Sequence, residues 1–423
     1  DRRQRQMCIR DSSSAAGIAF QGSGSEAVID GSLTISNVDG DKAEKQGRYI
    51  GVSGIRMTGD NTSMTVTGPV NISGFKGSAL HTAGADSVIS VGGGTISTAV
   101  DADKSHNFYA ARVEKGTVNI NMKNGAPGSA RTNIIGDMYV TGQYGKKVIE
   151  YSGGQLADWQ HRGNLHVALT DKDSSWTGVA AYEQYNDNYG SGGNTMHDIG
   201  NFDLYLQNGA TWTNEQQSHV TTTTLADKNP VYNGSYLMKL HGGSDAVHKG
   251  YIYQKDSKPI TVDNYSGHTL VFYDHTGDGS AAENYSAGDF RIKTAEEGSS
   301  ITLRTGAGGI NTADKTAAGK ALNSLANKLY YMSYAQGDTK LKGTVEIAEG
   351  LTSSSVSASG DIAFRTDTAA DKNGQGTYVY EPEEPLDGPI IKDRLLKGET
   401  TVTADDTHAE DGYVSAAYNG DDS

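Results

Sequence analysis

The chain has 423 residues, of which 54 are glycine and only seven each are proline and phenylalanine, and its formal net charge is −15. This composition is unlike that of a compact α/β enzyme, and the acidic charge disfavours a nucleic-acid partner, because phosphate binding depends on clustered lysine and arginine. No apolar run reaches the roughly 18–20 residues that a membrane-spanning helix requires.

The first twelve residues, 1–12, look unlike the rest of the chain and contain its only cysteine, Cys8. They resemble translated sequencing-adapter sequence, so we expect a non-native segment here; a genuine basic tail is the alternative. No hydrophobic signal segment is recognisable at this end. Without these residues the chain has no cysteine, which fits export through an oxidising compartment.

Two segments, 64–73 and 89–97, show the pattern that later parts of the chain repeat. Each has an apolar–polar–apolar triplet, a glycine-containing corner, and then an apolar residue followed by serine. Alternation with a period of two predicts short strands with one buried face. Because so short a strand cannot bury its apolar face alone, the pattern favours stacked repeats, as in a solenoid.

Similar alternating segments recur at irregular intervals along the chain. They lie at 33–35, 118–122, 138–140, 148–149, 236–240, 251–253, 269–272, 290–292, 301–303, 345–347, 362–364 and 378–380. The sequence therefore predicts an all-β solenoid over residues 13–380, although the spacing of the segments does not fix its register.

Two units in the middle of the chain match one another closely. In each, a six-residue alternating strand (Asn164–Leu169 and Asn201–Leu206) leads through a polar turn to a Ser/Thr-Trp-Thr sequence at Trp176 and at Trp212. We expect both indole rings to pack against neighbouring repeats, because an aromatic side chain buries a large area at one position. The alternative is that these tryptophans are exposed and bind glycans.

The segment Tyr182–His197 is rich in tyrosine, asparagine and glycine and has little periodicity. We expect it to leave the stack as a loop, because binding residues often lie on loops that a rigid scaffold positions. Its tyrosines Tyr182, Tyr185 and Tyr189 are the candidate ligand contacts.

One helix interrupts the strands and is predicted near 312–335. Asn311 can cap its first turn while Asp314 reaches back, and Gly337 ends it. An apolar stripe follows the helical period. Its members are Leu322, Leu325, Leu329 and Met332. We expect the helix to pack on the side or end of the stack; a helix that binds a partner is the alternative.

No motif in the sequence specifies a catalytic, cofactor or metal site. Phe290–Lys293 is similar to the Arg-Ile-Lys signature of polygalacturonase-like hydrolases, but the other elements of that signature are missing, so we interpret the match as chance. The segment 274–283 offers oxygen ligands without the spacing of an EF-hand, so a polar turn is favoured over a loose Ca²⁺ site. The histidines lack metal-ligand spacing.

A resemblance to a known family begins at Gly288. The residues that carry it lie at 288–293, 301–305, 321–331, 341–355, 360–364 and 374–378. This region resembles the C-terminal passenger region of pertactin-like autotransporters of Gram-negative-type bacteria. The resemblance implies a right-handed parallel β-helix that is secreted through an outer-membrane barrel, with 288–380 acting as a folding nucleus.

The remaining segment, 381–423, contains three prolines and far more acidic than basic residues, which is typical of a linker. We therefore expect a passenger displayed outside the cell, without catalysis or cofactors. Its function would be that of an adhesin that binds a glycan or protein of a host or bacterial surface. A β-helix polysaccharide lyase or glycoside hydrolase is the alternative; it requires charged side chains that converge in one groove.

Overall fold

A computed structural model describes residues 16–36, 44–45, 48–49, 52–104, 106–140, 163–182, 186–187, 195–196, 200–219, 234–352 and 354–364. The chain divides into two compact units, Asp1–Thr269 and Leu270–Ser423. The segments 1–12 and 381–423 and the strands predicted at 148–149 and 378–380 lie outside the described residues.

The first unit is built from three parallel sheets, which we name A, B and C. Sheet A contains Ala16–Phe20, Ser53–Met57, Ser78–Thr82, Tyr109–Val113, Asp137–Val140 and Ala180–Tyr182. Within this unit, sheet B contains Glu26–Ile29, Ser63–Val66, Val88–Val91, Gly116–Ile120, Gly163–Leu169, Asn201–Leu206, Ser235–His241 and Ile260–Ser266. Sheet C contains Leu33–Ser36, Val70–Phe75, Gly94–Thr98, Thr132–Ile135, Ser175–Thr177, Thr211–Asn214 and Gly250–Gln254.

The chain visits the three sheets in turn. Ala16–Phe20 is in sheet A, Glu26–Ile29 in sheet B and Leu33–Ser36 in sheet C, and the next three long strands repeat this order. The turn from sheet A to sheet B requires a left-handed backbone two residues before the sheet B strand. We call one strand from each of sheets A, B and C, in chain order, a strand set. Gly24 (φ 72°), Asn61 (φ 53°) and Asp86 (φ 53°) occupy this position in three successive strand sets. Glycine, asparagine and aspartate are the residues that adopt this conformation most readily.

Aligned apolar side chains form the core of the first unit. One such ladder in sheet C consists of Ile72, Ile96, Ile134, Trp176 and Trp212, which are register partners on successive strands and are all buried. The two indole rings lie parallel, with their centroids 4.8 Å apart. The predicted packing of the tryptophans is therefore confirmed, and the exposed, glycan-binding alternative is wrong.

Three short antiparallel pairs leave the sheets of the first unit. They join Glu44–Lys45 to Arg48–Tyr49, Met122–Lys123 to Ala126–Pro127, and Asn186–Asp187 to Thr195–Met196. The strand His268–Tyr273 runs across the boundary between the units.

The second unit continues with parallel pairing and ends with an antiparallel strand. Phe290–Ala295 pairs in parallel with Leu329–Tyr331. Ser299–Gly306 pairs in parallel with Leu341–Ala348, which pairs in turn with the antiparallel strand Val356–Ile362. This unit also contains two short 3-10 helices, Ala282–Asn284 and Met332–Gln336, and one α-helix.

The α-helix of the second unit is shorter than predicted and has a different cap. It spans Lys315–Ala326, and Asp314, not Asn311, is the N-cap, because its carboxylate accepts hydrogen bonds from the backbone N–H groups of Thr316 and Ala317. Leu329 does not continue the helix, since it pairs with Phe290 in a parallel sheet.

Met332 also lies outside the α-helix. It begins a 3-10 helix, Met332–Gln336, that ends before Gly337 (φ 86°). The helix packs its apolar side on the strands Ser299–Gly306, Leu341–Ala348 and Val356–Ile362, as expected for a helix on the side of a sheet. Among the described helices, none has the length and apolar character needed to cross a bilayer.

Candidate functional site

Four polar or aromatic residues align across adjacent strands of sheet A. Arg56, His81, Arg112 and Tyr139 are register partners in that order, and we call this set the arginine row. Side chains alternate between the two faces of a strand, so the row lies on the face opposite to the fully buried Ile55 and its register partners. The parallel pairing of sheet A therefore brings together charged side chains that are 25–31 residues apart in the sequence.

Glu114 supplies the negative charge of this site. Its Oε1 lies 2.7 Å from Nη2 of Arg112 and 3.4 Å from Nε2 of His81. Burial alone would raise the pKa of Glu114, but His81 and Arg112 outweigh it and lower the pKa to about 2. Glu114 is therefore ionised at neutral pH and balances one of the two arginines.

His81 is neutral at physiological pH. It is 8% exposed, and burial lowers its pKa below 6.5. Glu114 opposes this shift only in part, because the contact between Nε2 and Oε1 is long and Nε2 forms no regular hydrogen bond. The site thus contains an imidazole that can accept or donate a proton, next to an ionised carboxylate.

Aromatic rings close one end of the arginine row. The rings of Tyr109 and Tyr139 stack with centroids 5.3 Å apart, and the guanidinium carbon of Arg112 lies 6.0 Å from the centre of the Tyr139 ring. Val179 and Ala181 complete an apolar cluster around the two tyrosines. This packing holds Arg112 between an aromatic face and the carboxylate of Glu114.

Three nitrogen atoms of the arginine row have no hydrogen-bond partner although they are buried. They are Nε of Arg56, Nε2 of His81 and Nε of Arg112. A buried N–H donor without an acceptor destabilises the folded state by roughly 1–3 kcal/mol. This cost applies to Nε of Arg56 and Nε of Arg112, whereas Nε2 of His81 keeps a long contact of 3.4 Å with Glu114.

A buried carboxylate fixes the strand that carries Tyr139. Asp137 is fully buried and accepts hydrogen bonds from the backbone N–H groups of Val179, Gln217 and Ser218 and from the hydroxyl of Ser218. The carbonyl oxygen of Phe108 lies 2.8 Å from Ser218 Oγ and shares this single O–H donor with Asp137. These bonds tie residues 217–218 to sheet A across about 80 positions of sequence. Burial nevertheless raises the pKa of Asp137 to about 6.

Asp101, Asp103 and His106 are the one group of three potential metal ligands within the described ranges, with ligand atoms within 4.8 Å of one another. Two carboxylates and an imidazole are suitable ligands for a transition metal. Asp101 is already engaged, because one oxygen accepts the backbone N–H of His106 and the other lies 3.1 Å from Nδ1 of the same residue. These two contacts explain why the residues lie close together: Asp101 closes the turn that leads to His106.

The loop chosen from the sequence is largely outside the described residues. Tyr185 and Tyr189 fall there, and of Tyr182 only the backbone is described, at the end of a sheet A strand opposite Val140. The proposed ligand contacts of these tyrosines therefore stay a prediction.

The segment 274–283 forms a turn in which Asp278 accepts the backbone N–H of Ser280. Arg291, in the polygalacturonase-like motif, lies 3.3 Å from Asp289 and 5.7 Å from the Tyr330 ring centre. Arg291 therefore takes part in an ion pair and a cation–π contact, and the interpretation of that motif as chance stays a prediction.

Comparison with protein-family models, with curated proteins and with solved structures finds no match for this chain. The arginine row was not among the sites expected from the sequence. Arg56, His81 and Arg112 each stand between small or apolar residues, and that repeated placement is the signal that could have revealed the row.

Proposed function

We propose that this chain is the passenger of an autotransporter, secreted through an outer-membrane barrel and displayed on the cell surface as an adhesin. In this proposal the three sheets of the first unit are the faces of a right-handed parallel β-helix. The parallel register of the strands and the cyclic order in which the chain visits sheets A, B and C support that architecture.

The resemblance to passenger C-terminal regions supports the same proposal for the second unit. The strands there include Phe290–Ala295, Ser299–Gly306 and Leu341–Ala348, which contain the segments 290–293, 301–305 and 341–348 of the region that carries the resemblance. The antiparallel strand Val356–Ile362 is the last strand of its sheet, and the helix Lys315–Ala326 packs on the same strands. The reversal of strand direction ends the series of parallel pairs, as the end of a stacked fold requires.

The arginine row is the observation that carries the binding part of the proposal. It concentrates two guanidinium groups, an imidazole and a tyrosine on one face of a rigid sheet, and three of its polar atoms lack partners. The three unpartnered atoms are buried, but the side chains of Arg56 and Arg112 are partly exposed, and charged groups that a rigid scaffold holds at the surface are a usual means of recognition. The partner would be a glycan or protein of a host or bacterial surface.

Cells that display the chain on an autotransporter barrel provide the test. Adhesion to epithelial cells and to other bacteria should exceed that of cells displaying the barrel alone. A second display strain that lacks residues 183–194 measures what the tyrosine-containing loop contributes. Adhesion no greater than with the barrel alone, at equal surface expression, contradicts the proposed function.

A polysaccharide lyase is the second candidate, and the convergence of Arg56, His81, Arg112, Glu114 and Tyr139 favours it. Glycoside hydrolysis generally uses two carboxylates, whereas the row and its neighbours among the described residues include one, Glu114. Elimination instead needs a cation beside a sugar carboxylate and a base for the adjacent proton, roles that an arginine and a neutral histidine can fill. Formation of unsaturated sugar ends from acidic polysaccharides, abolished in His81→Ala, is the measurement that separates a lyase from an adhesin.

A further inference from the structure

We propose that the arginine row binds the acidic groups, carboxylate or sulfate, of an extended anionic polysaccharide. This inference rests on the proposed surface-binding function and specifies the chemistry of its ligand. Arg56, His81 and Arg112 supply the donors, and Tyr139 bounds the site at one end.

The chemistry of the two guanidinium groups determines what kind of group they bind. Nε of Arg56 and Nε of Arg112 are themselves buried, so a ligand would meet the rest of each partly exposed side chain, whose N–H groups can only donate. An incoming neutral hydroxyl could serve one of them, but an anionic oxygen forms a shorter and stronger bond to a guanidinium group. The row therefore selects an acceptor-rich, negatively charged group.

The charges at the site favour the same ligand. Glu114 lies 2.7 Å from Arg112 and neutralises it, and His81 is uncharged. Arg56 has no carboxylate within 4 Å among the described residues, so the site keeps one uncompensated positive charge. The chain as a whole carries a formal charge of −15, so this local excess runs against the field of the molecule and attracts an anion to one place.

The depth and the spacing of the row favour a chain of sugars over a protein. His81 is 8% exposed and the Arg112 side chain 28% exposed, so the donors are recessed and a flat protein surface reaches them poorly. Arg56 and Arg112 stand two strand spacings apart, which is about 10 Å. In an extended polysaccharide in which every second sugar has the same orientation, acidic groups on the same side of the chain are separated by a similar distance.

The test measures binding of the full 423-residue chain to sodium polygalacturonate and to heparin, with dextran as the neutral polymer and poly-L-glutamate as the acidic polypeptide. We expect binding to an acidic polysaccharide and none to dextran. Arg56→Gln should weaken it about tenfold or more, as loss of a charge-assisted hydrogen bond predicts. Arg56→Lys, which keeps the charge but loses the planar fork, should lie in between.

Arg131→Gln is the matched control, because Arg131 is an exposed arginine next to a sheet C strand of the same unit. It should bind like the unchanged chain, and thermal unfolding of every variant verifies that the fold persists. Equal binding of poly-L-glutamate, full competition by inorganic sulfate, or equal affinity of Arg56→Gln overturns the inference. If displaying cells still adhere after both Arg56→Gln and the addition of acidic polysaccharide, the inference about the ligand is overturned while the adhesin proposal stands. If the cells do not adhere at all, the adhesin proposal is rejected and the inference about the ligand is decided by the binding measurements.

Discussion

The indole rings of Trp176 and Trp212 are parallel to within 2°, although 36 residues separate them in the sequence. Each ring donates its Nε1–H to a glycine carbonyl, Trp176 to Gly136 and Trp212 to Gly178, and these two glycines are equivalent positions on adjacent strand sets. The sequence therefore repeats a complete interaction rather than only an apolar residue. Such repetition locks the register of neighbouring strands, because a shift by one residue would break both bonds.

Trp212→Ala should lower the free energy of unfolding by about 3–5 kcal/mol, because it removes a fully buried ring and leaves a cavity beside Trp176. Trp212→Phe should cost less, but it still leaves the Gly178 carbonyl without its donor. Urea unfolding followed by far-UV circular dichroism measures both. Val247→Ala is the control, since Val247 is 82% exposed and should be neutral; equal midpoints for Trp212→Ala and Val247→Ala would contradict the packing.

Asp137→Asn should change both the stability and its dependence on pH. Burial raises the native pKa from 3.8 to about 6, so the native state holds this proton more tightly than the unfolded state does. The contribution of Asp137 to stability is therefore greatest below pH 4 and is lost as the pH rises to about 6. Asparagine does not titrate, so the variant loses this dependence of stability on pH, which amounts to roughly 3 kcal/mol at most over the whole range.

The asparagine amide of the Asp137→Asn variant cannot accept all the hydrogen bonds that the carboxylate accepts, so this variant should be less stable at pH 5. Its deficit should shrink at pH 7.5, where the unchanged chain contains an ionised buried carboxylate. Denaturant titrations at both pH values measure the two gaps. Gaps of the same size at both pH values would show that Asp137 does not titrate in this range.

Glu114→Gln should destabilise the first unit most strongly near neutral pH. The native pKa of Glu114, about 2, lies below its ordinary value of 4.5, so its stabilising effect is complete above pH 5 and is lost as the pH falls toward 2. Glutamine leaves Arg112 without its charge partner. Both side chains are partly exposed, so the cost should stay below that of breaking a fully buried pair, at about 1–3 kcal/mol. Glu26→Gln is the control, because Glu26 is exposed.

An independent readout of the same variant is the imidazole of His81, followed by NMR as a function of pH. Glu114 is the group that raises the pKa of His81 against the effect of burial. The pKa of His81 should therefore fall further in Glu114→Gln. An unchanged histidine titration together with unchanged stability would rule out the ion network of the arginine row.

Most strands of sheets B and C could be predicted from the sequence, although Glu26–Ile29, Thr132–Ile135 and Ile260–Ser266 were missed, whereas sheet A could not, apart from the strand at 138–140. Ser63–Val66 alternates polar and apolar residues and has one buried face, so its period is visible. Ser78–Thr82 is buried at all five positions and mixes serine, alanine, leucine, histidine and threonine, so no period of two appears. Because the arginine row lies on sheet A, the candidate site escaped prediction together with the sheet that positions it.

The corner from sheet A to sheet B provides a test of close stacking between strand sets. Gly22, Gly59 and Gly84 occupy equivalent positions there. A Cβ atom at Gly59 would lie 2.4 Å from the Gly22 carbonyl oxygen, and one at Gly84 would lie 2.1 Å from the Gly59 carbonyl oxygen. Because both obstacles are backbone atoms, neither can rotate away, and the strand sets would have to separate.

Gly59→Ala and Gly84→Ala should each lower the free energy of unfolding by about 1–3 kcal/mol, the usual cost of forcing extra volume into packed structure. Gly22→Ala is the matched control, because a Cβ there meets no atom within 4 Å and the backbone is not left-handed. It should be neutral or slightly stabilising, since alanine restricts the unfolded chain. Urea midpoints of the three variants decide the matter: if all three shift equally, the sets do not stack through this corner and the proposed β-helix loses its main geometric support.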